Sequence, residues 1–318
     1  MTTRLAVDLH GARLVDRSCL ILAGGDSGRL SELTRSIWGD DRPVQFCPML
    51  GGTTPLELTR QRAGQVIPAS QTVVALVESH ERFYKRLLSD LPPAQIIVQP
   101  ENRGTAPAIL YGLLRLAALG AAGPVAVLPS DHYVSDPGRF MAHVEAAFRA
   151  VTTRPDLVIL LGVQARSLEL EYGWIEPDEP IPGRWRETFY RVRRFWEKPR
   201  PALGTDLLAR GCLWSSFVMV AQPIVLATLI RRELPSLVER LLALRTRLAE
   251  PGVPDRVRQL YARLAAADFS RQILATRPPN LAVLPVTGVE WSDLNHPERA
   301  GRALAQAGID LTPASLSA

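Results

Sequence analysis

The stretch "ILAGGDSGRL", residues 21–30, ends an apolar run on two adjacent glycines. It then turns polar, with a third glycine and an arginine behind them. A buried strand that stops this way bares backbone N–H groups where no Cβ keeps an anion at a distance. On these residues alone two readings stay open, a phosphate cradle or a strand-to-turn junction rich in glycine. The stretch is not the dinucleotide fingerprint GxGxxG, and it lacks the Gly-Lys-Ser/Thr of a Walker P-loop. Arg29 strengthens the cradle, because a planar, permanently charged guanidinium can grip a polyphosphate with paired hydrogen bonds.

Outward from that stretch, short apolar runs alternate with helical patterns. "PLELTRQRAGQV" follows a long polar loop; "TVVALVES" leads into "HERFYKRLLSDL", "AQIIVQP" into "GTAPAILYGLLRLAALG", and "PVAVLPSDH" into "GRFMAHVEAAFRAV", before "LVILLGV". Continuous apolar strands between helices predict a mostly parallel sheet covered on both faces. Ligands in such sheets gather beyond the C-terminal strand ends, here Gly24-Gly25, Gln99-Pro100 and Ser130-Asp131. The second half differs. "RWRETFYRVRRFW" alternates like a strand, and residues 222–274 read as helices. Within them Leu234, Leu237, Val238, Leu241, Leu242 and Leu248 fall on roughly one face, which predicts core packing. "NLAVLPV" is a last strand before a loop and a closing helix.

Composition narrows the function classes. The chain has 318 residues, 47% hydrophobic and 22% charged, as in a globular protein. The most apolar region, residues 106–129, is interrupted by Arg115, and the first residues carry scattered charge. Both features argue against a membrane span and a secretory signal. Cys19, Cys47 and Cys212 lie too far apart for a paired-cysteine motif and suit a reducing, cytoplasmic setting. The net charge is +5 and the pI about 9.4. With no basic run interleaved with aromatics, that balance suits a phosphorylated small molecule better than nucleic acid. Lysine occurs only at Lys85 and Lys198, so nearly all positive charge is arginine.

"LAGGDSGRL" resembles the first signature of the sugar-1-phosphate nucleotidyltransferases. "RPVQFCPMLGGTTPLELTRQR" looks like the PKQF-and-helix segment of their mannose-1-phosphate guanylyltransferase-like branch. "QPENRGTAPAI", "LPSDHYV", "EYGWIEP", "FWEKP", "LWSSFVMV" and "VEWSDL" follow in that family's order, over residues 18 to 295. The resemblance implies a three-layer α/β/α, Rossmann-like fold with a mixed, mostly parallel central sheet. It implies a reaction in which a nucleoside triphosphate and a hexose 1-phosphate give a nucleotide-sugar, most closely GDP-mannose or a related GDP-hexose, and pyrophosphate. By the same resemblance Ala23, Gly24, Gly25, Ser27, Gly28, Arg29, Gln99, Arg103, Gly104 and Thr105 bind nucleotide. Gly173, Glu176, Lys198 and Ser215 bind the sugar phosphate, Arg29 and Lys198 are the catalytic cations, and Asp131 and Asp293 hold Mg²⁺. Hard carboxylate oxygens suit that ion. His132 is expected to be structural, since magnesium prefers oxygen. The plain alternatives are a loop capped by Thr105, a turn at Gly173 and an exposed acid at Glu176.

Three positions depart from the pattern. Val44 stands where the PKQF motif has its lysine, and whether Arg42, two residues away, reaches that place the sequence leaves open; Ser215 replaces an asparagine; and Gln99 sits where guanylyl-transferring relatives often carry glutamate. The first two favour a catalytically weak or inactive binding protein of the same fold as an alternative. The third keeps a uridylyl- or thymidylyltransferase open. "SELTRSIWGDDRP" reads as an extended loop that closes over the nucleotide or covers the sheet edge. The expected organisation is an N-terminal extension over 1–17 and one domain over 18–318. That domain carries a helical insertion around 222–274 and, lacking hexapeptide repeats, no C-terminal β-helix. The expected partners are small-molecule substrates, with no nucleic acid and no membrane; a homo-oligomer is compatible with the sequence.

Overall fold

The computed structural model describes residues 17–26, 28–49, 51–245 and 254–306. The expected N-terminal extension except Arg17, Ser27 of the glycine stretch, residues 246–253 with Leu248, and residues 307–318 lie outside the described residues, as does the side chain of Arg29.

The apolar run of the glycine stretch is β1 (Ser18–Leu22), and Cys19, Leu20 and Ile21 are fully buried. It lies between β2 (Thr72–Val77) and β4 (Val125–Pro129), parallel to both, with β3 (Ile96–Gln99) beyond β2. Further along come β6 (Val158–Gln164), β7 (Gly173–Pro180), β8 (Tyr190–Glu197), β9 (Leu213–Ala221) and β10 (Leu281–Val286). The nine-stranded sheet runs β3-β2-β1-β4-β9-β6-β10-β8-β7, with β7 also paired to β9. β8 and β9 are antiparallel to their neighbours, so the other seven strands point one way. The sheet is therefore mixed and mostly parallel.

Because side chains alternate along a strand, β1 feeds two cores: Cys19 and Ile21 face one, Leu20 the other. The first core takes Leu56 of α2 (Pro55–Ala63), Tyr84 of α3 (Glu81–Leu87), Phe148 of α5 (Pro137–Thr153) and Leu207 of α6 (Pro201–Ala209). The second takes Ile109 of α4 (Thr105–Ala118), Leu229 of α7 (Pro223–Glu233) and Leu241 of α8 (Pro235–Ala243). It also takes Tyr261 of α9 (Asp255–Tyr261) and Phe269 of α10 (Phe269–Gln272). Each buried Leu, Ile or Phe contributes about 1.5–3 kcal/mol of apolar burial, which makes the three layers mutually dependent. α2 starts on a capping box in which Thr54 and Glu57 satisfy each other's backbone N–H groups.

Two elements differ from the sequence reading. Ser31–Trp38 is a helix, α1, rather than an extended loop. Leu30, Leu33 and Trp38 share one side and pack with Val44, Cys47 and Leu294 in a small third apolar cluster, and that burial offsets the polar residues between them. Within α8, Leu237, Val238 and Leu241 are buried, but Leu242 points to solvent. At 3.6 residues per turn Leu237, Val238 and Leu241 centre the buried stripe, and Leu242 falls past its edge. Finally, β5 (His132–Val134) and β11 (Trp291–Asp293) form a two-stranded antiparallel ribbon, and α11 (Pro297–Gln306) follows it. No helix among the described residues is long and apolar enough to cross a membrane.

Candidate active site

A cavity of about 410 Å³ opens where β1, β3 and β4 end, and parts of β7, β8 and β9 form its far wall. Gly24 and Gly25 line it. Ala23 does not: its N–H is engaged by Ala75 O at 2.8 Å, inside the sheet. Gly28, with φ +42, opens the short turn Gly28–Leu30 that leads into α1 and stands outside the cavity lining. Two amides hold the glycine stretch in place. Gln45 Nε2 donates to Ala23 O (3.2 Å) and Gly25 O (2.7 Å) from a buried position. Asn102 Nδ2 donates to Gly24 O (3.2 Å) while its Oδ1 accepts from Gly104 N (2.9 Å), tying two loops together. Neither residue is singled out by the sequence, because the contacts that give them this role join distant segments.

The segment after β3 is clamped by the chain around α9 and α10. Gly104, with φ +88, runs so close to that chain that a Cβ would meet Ala267 O at 2.4 Å. Protein backbone thus packs against this glycine, which also lines the cavity. Thr105 caps its partner and not its own helix: its Oγ1 accepts from Phe269 N at 2.7 Å. Arg103 faces the clamp too, with Nε donating to Tyr261 O (3.0 Å) and a guanidinium nitrogen 2.8 Å from Glu101. Gln99 lines the cavity from a buried position; its Oε1 accepts from Tyr261 Oη (3.2 Å) and its Nε2 donates to Leu76 O (3.4 Å).

The two acids, far apart in sequence, meet through the ribbon. Asp293 pairs with His132 in the register of β11 and β5, and Leu294 N donates to Asp131 O at 2.8 Å. Both carboxylates line the cavity. Asn295 Nδ2 donates to Asp131 Oδ2, and Arg299 Nε lies 2.7 Å from Asp293 Oδ1. Burial pushes the Asp293 carboxyl up to about 6; Arg299 opposes the rise, and Asp131 adds to it. Beneath them the buried Arg62 donates to His132 O (3.3 Å) and Thr59 Oγ1 (2.6 Å); burial lowers its pKa to about 10, against the pull of Asp131. His132 is packed edge-on against Trp291, its ring centroid 5.0 Å away, and burial lowers its pKa to about 4. Its ring is therefore neutral near pH 7. Among the described residues no three His, Cys, Asp or Glu side chains gather as a metal cluster. A magnesium ion needs no such cage: one or two carboxylates plus substrate phosphates is its usual mode, and this acid pair fits that donor set.

On the far wall Gly173, Glu197 and Ser215 converge. A Cβ on Gly173 would meet Phe195 Cζ at 2.8 Å and lie 3.2 Å from Glu197 Oε2 and 3.3 Å from Ser215 Cβ, so only glycine leaves that floor open. Ser215 Oγ accepts from Phe217 N at 3.2 Å, where β9 shifts register and Phe217 adopts φ +57. The carboxylate here is Glu197, which the sequence reading passed over inside "FWEKP". Glu176 is off the cavity, with Oε1 held 2.8 Å from Arg210. Three positions along β7 separate it from Gly173, and an odd separation along a strand puts it on the opposite face. Lys198 carries a strained backbone, φ +48, and its Nζ donates at 3.1 Å to Glu171, which lines the cavity rim. Val44 is buried in the third apolar cluster, and Arg42 is no substitute for a lysine: Asp40 holds its guanidinium through bonds of 2.7 and 2.8 Å.

Comparison with known proteins agrees with this geometry. The nucleotidyl transferase family pattern matches residues 18–231. Over 200 residues the chain is 32% identical to the xanthan biosynthesis protein XanB of Xanthomonas campestris, covering 62% of this chain and 40% of that protein. Over the same length it is 27% identical to a mannose-1-phosphate guanylyltransferase of Escherichia coli, covering 62% of this chain and 41% of that one. The chain thus spans about two-fifths of these relatives' length. A solved structure from Thermus thermophilus, described as a mannose-1-phosphate geranyltransferase, superposes with a TM-score of 0.76 at 26% identity, over 92% of this chain and 80% of that one. With a family match over most of its length, and its glycine stretch and acid pair set around one cavity, the chain belongs to the nucleotidyl transferase family.

Proposed function

We propose that this protein transfers a nucleotidyl group from a nucleoside triphosphate to a hexose 1-phosphate, with GTP and mannose 1-phosphate as the leading pair. The observation that carries the reading is the convergence of Asp131 and Asp293, opposite Gly24 and Gly25, on one cavity. The choice of guanylyl transfer to mannose phosphate leans on the relatives' names. In this reaction a sugar-phosphate oxygen bonds to the α-phosphorus, the bond from that phosphorus to the β-phosphate bridging oxygen breaks, and pyrophosphate leaves with the electron pair. The attacking oxygen is already ionised, so no strong base is required, and the neutral, buried His132 is consistent with that. The difficulty is electrostatic: two polyanions must meet. Asp131 and Asp293 would hold a Mg²⁺, whose chemistry is to neutralise phosphate oxygens. Backbone N–H groups at Gly24 and Gly25 orient the triphosphate. Lys198, resting on Glu171, exchanges that carboxylate for the sugar phosphate, and Glu197 accepts from sugar hydroxyls above Gly173.

A second reading, a binding protein that keeps the fold, is favoured by Val44 in its apolar cluster and Arg42 locked to Asp40, which leave no cation at the motif's lysine position. One panel separates the two. Pyrophosphate release is measured with five nucleoside triphosphates against several hexose 1-phosphates in the presence of Mg²⁺, for the native protein and Asp131→Asn. Transfer predicts release with at least one pair and a loss of about 100-fold or more in the variant. Binding of both substrates without release supports the second reading, and undiminished activity in Asp131→Asn removes that residue from the site.

A further inference from the structure

We infer that Tyr261 sets the nucleobase preference by locking the side-chain amide of Gln99 so that it shows the cavity a donor, which favours bases with a keto oxygen at purine C6 or pyrimidine C4 over bases with an amino group at that position. The inference rests on the reading that a nucleoside triphosphate occupies this cavity, and it names which triphosphates fit.

The lock is built from buried parts. Tyr261 is wholly buried and Gln99 nearly so. Tyr261 Oη donates to Gln99 Oε1 at 3.2 Å, and a phenol near neutral pH, its pKa raised further by burial, keeps that proton. The helix that carries the tyrosine is anchored, since the Tyr261 carbonyl accepts from Arg103 Nε at 3.0 Å and Arg258 pairs with Glu78 at 2.6 Å, and burial leaves the ring no room to turn. With the oxygen engaged, Nε2 is the amide atom turned to the glycine stretch: a Cβ placed on Gly24 would lie 3.5 Å from it. A primary amide has two N–H donors. One serves Leu76 O, at 3.4 Å, and the second serves the cavity. Guanine, uracil and thymine present a keto oxygen to such a donor. Adenine and cytosine present an amino group at the equivalent exocyclic position, and two donors face each other with the buried amide left unpaired. Free of Tyr261, the amide keeps only its long bond of 3.4 Å to Leu76 O and turns more readily to accept from an amino group, so the preference is strongest with the pair intact. Tyr261 touches no substrate in this scheme; it is a positioning residue.

The test is calorimetric binding of GTP, UTP, ATP and CTP, with Mg²⁺ and without sugar phosphate, to the native protein, Tyr261→Phe and Gln99→Met. The native protein is expected to bind GTP and UTP at least about tenfold more tightly than ATP and CTP, and Tyr261→Phe to narrow that ratio to under about threefold. A merely structural tyrosine would weaken all four together and leave the ratio intact. Gln99→Met removes the donor without removing the tyrosine, and the same narrowing is expected there should Tyr261→Phe fail to fold. No keto preference in the native protein, or an unchanged ratio in a folded variant, overturns the inference. If the ratio fails while GTP still supports pyrophosphate release, transfer stands and only the role of Tyr261 falls. If no nucleotide binds, both fall.

Discussion

Val44 shows how one side chain can be misjudged when a motif is read without its packing. Alignment to the family pattern invites the idea that a lysine here would restore a lost phosphate contact. The structure places Val44 at 2% exposure among Leu30, Cys47, Met49, Leu294 and Ala300, away from the cavity lining. An ammonium introduced there has no carboxylate to pair with in the cluster and must be buried, folded neutral or forced out through the packing. Val44→Lys is therefore expected to lower unfolding free energy by about 2–4 kcal/mol, read from the denaturant midpoint, and to leave the rate of pyrophosphate release no higher than native. A faster enzyme of native stability would mean that the lysine reaches substrate, and that the apolar cluster yields easily.

At the level of elements, the glycine-bearing loops are shaped by the segments that press on them. Gly104 is needed twice, for its φ of +88 and because Ala267 O occupies the space a Cβ would take. Gly104→Ala should cost about 2–4 kcal/mol in stability and weaken nucleotide binding together, since relieving the clash moves both the loop and the clamp. A calorimetric titration beside a thermal melt reads both; native affinity in a destabilised protein would separate the clamp from the site. The same contacts explain what sequence could and could not reveal. β1, β2 and β4 are continuous buried runs, legible because burial on both faces leaves no polar position to confuse the period. Asp131 and Asp293 were legible as motif residues, yet the ribbon that joins them has three residues on each strand, too short to show a period. Tyr261, Gln45 and Asn102 act through contacts that span 20 to 162 positions or sit on loops, and no local pattern announces those partners. The sequence of α1 reads as a loop because its apolar face completes a cluster that includes Leu294 and Ala300 from the far end of the chain.

For the molecule as a whole, the cavity concentrates carboxylates in a protein of positive net charge, and the consequence should appear in the pH dependence of folding. Burial pushes the Glu197 carboxyl from 4.5 up to about 7; Asp268 adds most among its charged neighbours, Lys198 and Arg271 oppose it, and Glu171 adds a little. The folded state therefore holds a proton that the unfolded chain releases between those values. The stability this contributes is complete below about pH 4.5 and is lost as pH rises through 7, up to about 3 kcal/mol from this residue. Asp293, raised to about 6, acts in the same direction. His132, lowered to about 4 by burial, acts in the opposite one: what it contributes is present above about pH 6.5 and is lost as pH falls through 4. Asp40, Asp90 and Asp156 are held low by arginine partners and titrate below this window. The native slope is thus a composite, and the difference from Glu197→Gln isolates one group. In urea melts with chelator present, between about pH 5 and 8, the variant should keep the histidine and aspartate contributions while losing the fall assigned to Glu197. Its stability should exceed the native protein's at about pH 8 by more than at about pH 5. Parallel curves for the two proteins would mean that Glu197 reaches solvent freely and that the far wall of the cavity is wetter than its packing against Gly173 and Ser215 requires.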